Sequence, residues 1–165
     1  MSLSRVLLCL GGNEGDRFSN LEEARDFCFF NIGDVVAASS IYESPAWGME
    51  NAAPFLNQVL MIETELSPQK VLQEILEMEE YFGRERSVDV YLDREMDVDI
   101  LYYEDQVIDE PSLQVPHPRL YDRRFVLQPL AEIAPDWIDP VKKVSAAELL
   151  RSCTDESVLK IYGGV

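Results

Sequence analysis

Two aspartates, Asp97 and Asp99, stand two positions apart in a segment where polar and apolar side chains alternate. Alternation with a period of two predicts a β-strand that presents both carboxylates on one face. At a rise of roughly 3.3 Å per residue their Cα atoms lie about 6.6 Å apart, so the pair can bracket metal ions. Hard oxygen ligands favour Mg²⁺, which binds one or two carboxylates together with substrate phosphates. The spacing therefore predicts a Mg²⁺ site; the alternative is an exposed strand face with two acids.

Arginines are concentrated around these aspartates, although the chain as a whole is acidic. Six of the 14 basic residues fall between positions 84 and 124, and all six are arginine. The guanidinium fork grips phosphate oxygens in pairs and stays charged at any working pH, so the cluster indicates a polyphosphate ligand. The alternative is that each arginine pairs with a neighbouring carboxylate at the surface. The six are Arg84, Arg86, Arg94, Arg119, Arg123 and Arg124.

An aromatic and an amide side chain, Phe55 and Asn57, share one face of another predicted strand. An amide supplies both a donor and an acceptor, which matches the edge of a flat heterocycle, and an aromatic ring stacks on its face. Asparagine has poor strand propensity, so its place in the middle of a strand needs a reason. The alternative for this pair is ordinary core packing beside a capped turn.

The single histidine, His117, lies between two prolines. The prolines are expected to hold it in an extended, rigid segment. Its imidazole is able to donate a hydrogen bond to a phosphate, and the alternative is a purely structural hydrogen bond. Metal binding by one isolated histidine is not expected.

Periodicity and turn signals predict the elements that must position these residues. The first strand is a continuous apolar run that ends at two glycines, which is typical of a buried central strand. A turn at 104–105 is predicted to join 96–103 to 106–108 as a hairpin, and Ser19 is the predicted cap of the first helix. The predicted strands are 6–10, 35–42, 55–65, 96–103, 106–108 and 158–162. The predicted helices are 19–31, 67–83, 123–133 and 146–151.

This order of strands and helices predicts an α+β fold: a single-domain α/β/α sandwich, residues 1–165, on a mainly antiparallel, ferredoxin-like sheet.

Fourteen Lys and Arg against 31 Asp and Glu give a net charge of −17. This charge repels nucleic acid and anionic membranes, so neither is expected as a partner. Three scattered cysteines without a CxxC spacing predict neither disulfides nor zinc, and a cytoplasmic location is expected.

Seven short blocks occur in the order seen in the 6-hydroxymethyl-7,8-dihydropterin pyrophosphokinase family of folate biosynthesis, which the chain resembles nearly end to end. The ordered set is specific, above all the block around Asp97 and Asp99 followed by the His117 block. The blocks are Gly11-Gly12-Asn13, residues 42–48, Phe55-Leu56-Asn57, residues 83–86, residues 94–101, residues 115–118 and Arg123-Arg124-Phe125.

The resemblance implies an ATP-dependent diphosphokinase that transfers pyrophosphate to the hydroxymethyl group of the dihydropterin and releases AMP. It implies two Mg²⁺ ions on Asp97 and Asp99, and catalytic roles for these two residues with Arg84 and Arg94. The ATP-binding residues that it implies are Glu79, Arg84, Arg86, Arg94, Ile100, His117 and Arg123. The pterin-binding residues that it implies are Ser44, Pro45, Trp47, Phe55, Asn57 and Phe125. The resemblance also suggests other folate-pathway enzymes as partners of this chain.

The chain departs from the family pattern just before Arg94, where the family's Arg-Trp-Gly-Pro is replaced by Val-Tyr-Leu-Asp at 90–93. Tyr91 retains an aromatic ring there, whereas Val90 cannot grip phosphate. The segment 85–93 carries mixed charge without apolar periodicity and is predicted to be a mobile lid. Two other functions fit the same aspartates and arginines: a nucleotidyltransferase or phosphohydrolase, which needs no pterin pocket, and a non-catalytic nucleotide-binding or acidic interaction module.

Overall fold

A mainly antiparallel sheet forms the middle layer of the computed structural model, which describes residues 2–45, 53–83 and 96–163. The strands are β1 (Ser4–Gly12), β2 (Gly33–Ala38), β3 (Tyr42–Ser44), β4 (Phe55–Thr64), β5 (Asp97–Tyr103), β6 (Ile108–Glu110), β7 (Leu113–Val115) and β8 (Lys160–Ile161). The helices are α1 (Arg17–Asn31), α2 (Pro68–Gly83), α3 (Arg124–Ile133) and α4 (Ala146–Arg151), with a 3₁₀ turn at Leu120–Asp122. In the described part of the chain the sheet order is β5-β1-β4-β3-β8, and β2 also pairs with β4.

β1 separates two hydrophobic cores because its alternate side chains point to opposite faces of the sheet. Val6, Leu8 and Leu10 pack with α1 and α2, whereas Leu7 and Cys9 pack with α3 and α4. Helices therefore cover both faces, and this burial explains the continuous apolar run in the sequence. The prediction of an α+β sandwich on a mainly antiparallel sheet is confirmed.

Three predictions of local structure were wrong. The predicted strand 35–42 is divided into β2 and β3, because the Val59 amide donates to the Ser39 hydroxyl and the Ser39 carbonyl accepts from the Gln58 side chain, so side chains replace the ladder bonds there. The segment near 106–108 does not form a hairpin with β5; β6 pairs with β7 in a separate two-stranded sheet. The cap of α1 is Asp16 rather than Ser19, since the Asp16 carboxylate accepts a hydrogen bond from the Ser19 amide at 3.1 Å.

None of the helices in residues 2–45, 53–83 and 96–163 has the length and apolar character of a membrane span.

A buried aspartate, Asp139, ties the connection between α3 and α4 to the sheet. Its Oδ2 accepts hydrogen bonds from the hydroxyls of Tyr102 at 2.6 Å and Tyr121 at 2.8 Å. Its Oδ1 accepts from the backbone amides of Val141 and Lys142, each at 2.8 Å. Four donors thus satisfy a carboxylate that has no exposed surface.

Replacing Asp139 tests how far the fold depends on this cluster. We expect Asp139→Ala to lower the free energy of unfolding by about 3 kcal/mol or more, because buried hydroxyls and amides lose their acceptor. Asp136→Ala is the control, since Asp136 is exposed, and it should change stability by less than about 0.5 kcal/mol. Urea unfolding followed by circular dichroism measures both. Equal stability of the two variants would contradict the assigned role of Asp139.

Candidate active site

One row of residues crosses the sheet where β1 ends and β4 and β5 begin. Gly11 of β1 pairs with Asn57 of β4 on one side and with Asp97 of β5 on the other, and Tyr42 of β3 pairs with Asn57. Residues directly opposite in antiparallel strands point to the same face, which here is the face that α3 covers. Neighbouring strands lie about 4.8 Å apart, so Asp97 and Asn57 are roughly 10 Å apart.

Gly11 makes room for the Asn57 side chain at the centre of this row. A Cβ atom at position 11 would lie 2.3 Å from Asn57 Oδ1. The amide of Asn57 therefore lies against the Gly11 backbone, and its Nδ2 donates to the Ser44 hydroxyl at 3.0 Å. The apolar pattern of β1 did not predict this role of Gly11. A glycine within a strand often marks such a close approach, and that signal was available.

Four further residues that the sequence assigned to contacts with a heterocycle lie around Asn57. Ser44 is buried and pairs in register with Phe55, which begins β4 and is partly exposed. Pro45 follows Ser44 and is exposed. Phe125 lies in the first turn of α3, partly buried against the core on the same face, and α3 packs on β4 and β3. The sheet and α3 together bring these side chains to one face.

Acidic groups are concentrated at the free edge of β5. The alternation along β5 is as the sequence predicts: Val98 and Ile100 are buried against α2, while Asp97 and Asp99 are partly exposed on the other face. Glu79 of α2 accepts a hydrogen bond from the Val98 amide at 2.9 Å. Burial raises the pKa of Glu79 to about 8, the Val98 bond opposes that rise, and the neighbouring charges of Asp97 and Asp99 add to it.

The carboxylates at this edge suit a Mg²⁺ ion that also binds substrate phosphates. They do not suit a metal ion that is held by protein side chains alone. In residues 2–45, 53–83 and 96–163, no group of three or more His, Cys, Asp or Glu side chains is arranged to hold a metal. Two aspartates suit Mg²⁺ when substrate phosphates supply the remaining oxygens.

Cys9, which pairs with Asp99, is buried, and its pKa is raised by burial and by the charges of both aspartates. It is therefore a thiol and a poor nucleophile.

His117 lies beside Asp99 with its ring orientation fixed. Its Nδ1 accepts a hydrogen bond from the Arg119 amide at 3.1 Å, so the neutral ring carries its proton on Nε2. That Nε2 is 3.5 Å from Asp99 Oδ1. The His117 backbone amide bonds to the Leu101 carbonyl at 3.1 Å, which holds the segment along the edge of β5.

A cavity of about 260 Å³ opens at the same edge. Val98, Asp99 and Ile100 of β5 line one side, and residues 111–114 with His117 line the other. In an antiparallel pair, alternate residues turn their N–H and C=O groups away from the partner strand. The Val98 amide points outward to Glu79, so the backbone of Ile100, two residues on, also faces this outer edge.

The described arginines of the cluster differ in their surroundings. The Arg123 guanidinium lies 5.5 Å from the centroid of the Phe125 ring, at the start of α3. Arg124 is held away from this ring, because its Nη1 and its backbone amide donate to Asp155 at 3.5 Å and 3.0 Å. Arg119 is exposed. Arg84, Arg86, Arg94 and Trp47, and the predicted lid 85–93, lie outside the described residues.

Comparison with known proteins gives one family. A family model described as 7,8-dihydro-6-hydroxymethylpterin-pyrophosphokinase (HPPK) matches residues 7–135. The chain is 41% identical over 164 residues to the 2-amino-4-hydroxy-6-hydroxymethyldihydropteridine pyrophosphokinase of Aquifex aeolicus, covering 97% of this chain and 96% of that protein. It is 38% identical over 138 residues to the protein of the same name from Porphyromonas gingivalis, covering 82% and 93%.

Solved structures agree at the level of the fold. A crystal structure of wild-type Plasmodium falciparum HPPK-DHPS with pteroate matches with a TM-score of 0.75 at 15% sequence identity. The match covers 90% of this chain and 44% of the Plasmodium chain, so this chain spans less than half the length of that protein. At this identity the likeness concerns the fold alone.

The close approach of Gly11 and Asn57 is testable by a double-mutant cycle. We expect Gly11→Ala to destabilise the protein by roughly 1–3 kcal/mol, because the added methyl group displaces the Asn57 amide and breaks its bond to Ser44. The variant that combines Gly11→Ala with Asn57→Ala should lose less than the sum of the two single losses, since the side chain in conflict is absent. Urea unfolding measures all three variants. Strictly additive losses would show that position 11 does not contact Asn57.

Proposed function

The chain belongs to the 7,8-dihydro-6-hydroxymethylpterin-pyrophosphokinase family, and from this membership we propose how its residues carry out the reaction. The enzyme transfers pyrophosphate from ATP to the hydroxymethyl group of 6-hydroxymethyl-7,8-dihydropterin in folate biosynthesis and releases AMP. The observation that carries the assignment of residues is the row Asp97–Gly11–Asn57 on one face of the sheet. It supports the assignment because Asp97, which we propose for the metal, and Asn57, which we propose for the heterocycle, lie about two strand spacings apart.

The pterin is assigned to the side of the row that contains Asn57. The Asn57 amide, fixed by Ser44, offers hydrogen bonds to the edge of the pterin, and Phe55 and Phe125 offer rings to its faces. Ser44 and Pro45 complete the wall, and Trp47, which lies outside the described residues, keeps a pterin-binding role on the family resemblance alone. The support for this assignment is that β3, β4 and α3 bring Ser44, Asn57 and Phe125 to one face.

ATP is assigned to the edge of β5. The cavity of about 260 Å³ suits an adenine ring, with the outward backbone of Ile100 available to its hydrogen-bonding edge. The Nε2 proton of His117 and the guanidinium of Arg123 are available to phosphate oxygens, and Glu79 lines the same edge. Arg84, Arg86 and Arg94 keep phosphate roles on the family resemblance alone. These groups bring the phosphates of ATP to the metal pair and hold them there.

Asp97 and Asp99 would hold Mg²⁺ together with the triphosphate. When bound, the ions neutralise phosphate charge and stabilise the charge that develops during transfer. The hydroxymethyl oxygen forms a bond to the β-phosphorus, the bond from that phosphorus to the bridging oxygen breaks, AMP departs with that oxygen, and the hydroxyl proton is released to solvent. No protein nucleophile is needed, so the residues of this chain act by orientation and by electrostatics.

The chain acts as one domain over residues 1–165, in the cytoplasm. Other folate-pathway enzymes are the proposed partners. The Plasmodium HPPK-DHPS chain supports this, because it continues beyond the 44% of its length that matches this chain. Nucleotidyltransferase, phosphohydrolase and non-catalytic binding functions are set aside because they do not account for membership of the pyrophosphokinase family.

The metal assignment is tested by removing each aspartate in turn. We expect Asp97→Ala and Asp99→Ala each to slow AMP formation from ATP and the dihydropterin by at least about a hundredfold, because each removes a ligand of the charge-neutralising ions. Asp105→Ala is the control, since Asp105 is exposed in the turn at the far end of β5, and its rate should stay within about twofold. Ordinary turnover in either strand variant would end the two-Mg²⁺ assignment.

The arginine assignment is tested by two neighbours with different partners. Arg123→Ala should slow turnover by about ten- to a hundredfold, because a charge-assisted bond to the phosphates is lost. Arg124→Ala should stay within severalfold of the unchanged enzyme, since Arg124 is bound to Asp155 outside the site. Arg119→Ala should behave like Arg124→Ala. Steady-state rates of the three variants, measured at saturating Mg²⁺, decide the matter, and equal losses would indicate a diffuse field instead of specific contacts.

A further inference from the structure

A carboxylate outside the assigned substrate contacts joins α3 to the connection between β2 and β3. Glu132, near the end of α3, accepts a hydrogen bond on Oε1 from the Tyr42 hydroxyl at 2.6 Å. Its Oε2 accepts from the Ser40 amide at 2.9 Å and from the Ser40 hydroxyl at 3.0 Å. One side chain thus receives three hydrogen bonds from residues about 90 positions earlier in the chain.

The helix end of this contact lies on the same stripe of α3 as the proposed stacking residue. Gln128 follows Phe125 by three positions and Glu132 follows it by seven, so the three residues share one face of the helix. The Gln128 side chain also lies near the Tyr42 hydroxyl and opposes the rise in its pKa that burial and Glu132 cause. Fixing this stripe on Tyr42 fixes the rotation of α3, and with it the direction of the Phe125 ring.

The strand end of the contact lies next to Asn57. Tyr42 is 6% exposed and pairs in register with Asn57, and Ser44, two residues further along β3, accepts the Asn57 hydrogen bond. β3 therefore carries both the tyrosine that holds α3 and the serine that holds Asn57. A shift of α3 relative to β3 would change the distance between the ring of Phe125 and the amide of Asn57.

The apolar contacts of α3 do not fix this distance by themselves. Val126, Leu127 and Leu130 are buried against the sheet and attach the helix to it. Hydrophobic contact is non-directional, so it tolerates small rotations and translations that hydrogen bonds to a carboxylate do not. The two kinds of contact thus have different tasks: burial keeps α3 in place, and the polar contact sets its register.

We propose that Glu132 and Tyr42 are positioning residues, which set the width of the pterin slot by locking α3 onto β3. The inference rests on the proposed function, because it takes Asn57 and Phe125 as walls of that slot. The role is confined to the pterin side, since the cavity assigned to adenine lies at the opposite edge of the sheet, along β5.

The test compares substrate affinities in variants that remove only the lock. Tyr42→Phe and Glu132→Ala should each raise the dissociation constant of the dihydropterin by about five- to twentyfold, measured by calorimetry with Mg²⁺ and a non-hydrolysable ATP analogue. The dissociation constant of the analogue alone should change by less than about twofold. Glu132→Gln keeps an acceptor for Tyr42 and should recover part of the loss. The double variant should bind no more weakly than Glu132→Ala alone, because Glu132→Ala already removes the hydrogen bond of Tyr42.

Tyr103→Phe is the matched structural control. The Tyr103 hydroxyl donates to the Leu66 carbonyl at 2.7 Å on the other face of the sheet, so its loss removes a tyrosine hydrogen bond away from the slot. This variant should keep full pterin affinity whatever its effect on urea unfolding. Pterin affinity in Tyr42→Phe that matches Tyr103→Phe would overturn the positioning role.

Asn57→Ala separates this inference from the proposed function. A loss of pterin affinity in Asn57→Ala together with unchanged affinity in Tyr42→Phe and Glu132→Ala overturns the lock and leaves the pocket assignment intact. Unchanged affinity in Asn57→Ala shows that the pocket itself is wrongly assigned, and the inference then falls with it. Loss of pterin affinity in all three variants, with unchanged binding of the ATP analogue, supports both.

Discussion

The antiparallel register of β1 with both of its neighbours is the constraint on which the site depends. Gly11 lies between Asn57 and Asp97 because β1 pairs with β4 on one side and with β5 on the other. A slip of one residue in either ladder would turn one of these side chains to the opposite face, beneath α1 and α2. The buried side chains of β1 and β4 on both faces oppose such a slip, so the two hydrophobic cores maintain the alignment of the site.

Charge explains why this corner is suited to a polyphosphate and metal. Asp97 and Asp99 concentrate negative charge at the edge of β5, whereas Glu79 is largely protonated at neutral pH because burial and the charges of these neighbours raise its pKa to about 8. The chain as a whole has a net charge of −17, so it offers no general attraction to a nucleotide. The proposed ATP site therefore relies on local cations, namely Mg²⁺ and the arginines. The proposed position of the pterin, which is uncharged, is the less acidic end of the row, near Asn57.

Local pattern and long-range pairing contributed unequally to what the sequence could predict. The common face of Asp97 and Asp99 followed from alternation, and α2 followed from the Ser67 and Pro68 signals, since these depend on neighbours in the chain. The contact of Gly11 with Asn57 and the bonds from Tyr42 to Glu132 depend on pairing between distant segments, which no periodicity encodes. The hairpin of β6 and β7 is local, with Pro111 and Ser112 between the strands, but strands of three residues are too short for alternation to indicate them. The roles of the site residues remain predictions from the sequence, although the described ones lie together in the fold.

The central claim is that pterin and metal occupy neighbouring positions on one face of the sheet. The most direct measurement is the paramagnetic relaxation of bound pterin protons by Mn²⁺, substituted for Mg²⁺, in the complex with a non-hydrolysable ATP analogue. Two strand spacings separate Asp97 from Asn57, so we expect a distance of about 10 Å between the metal and the nearest pterin protons. A distance of about 20 Å or more would place the two ligands on separate parts of the molecule and contradict the account.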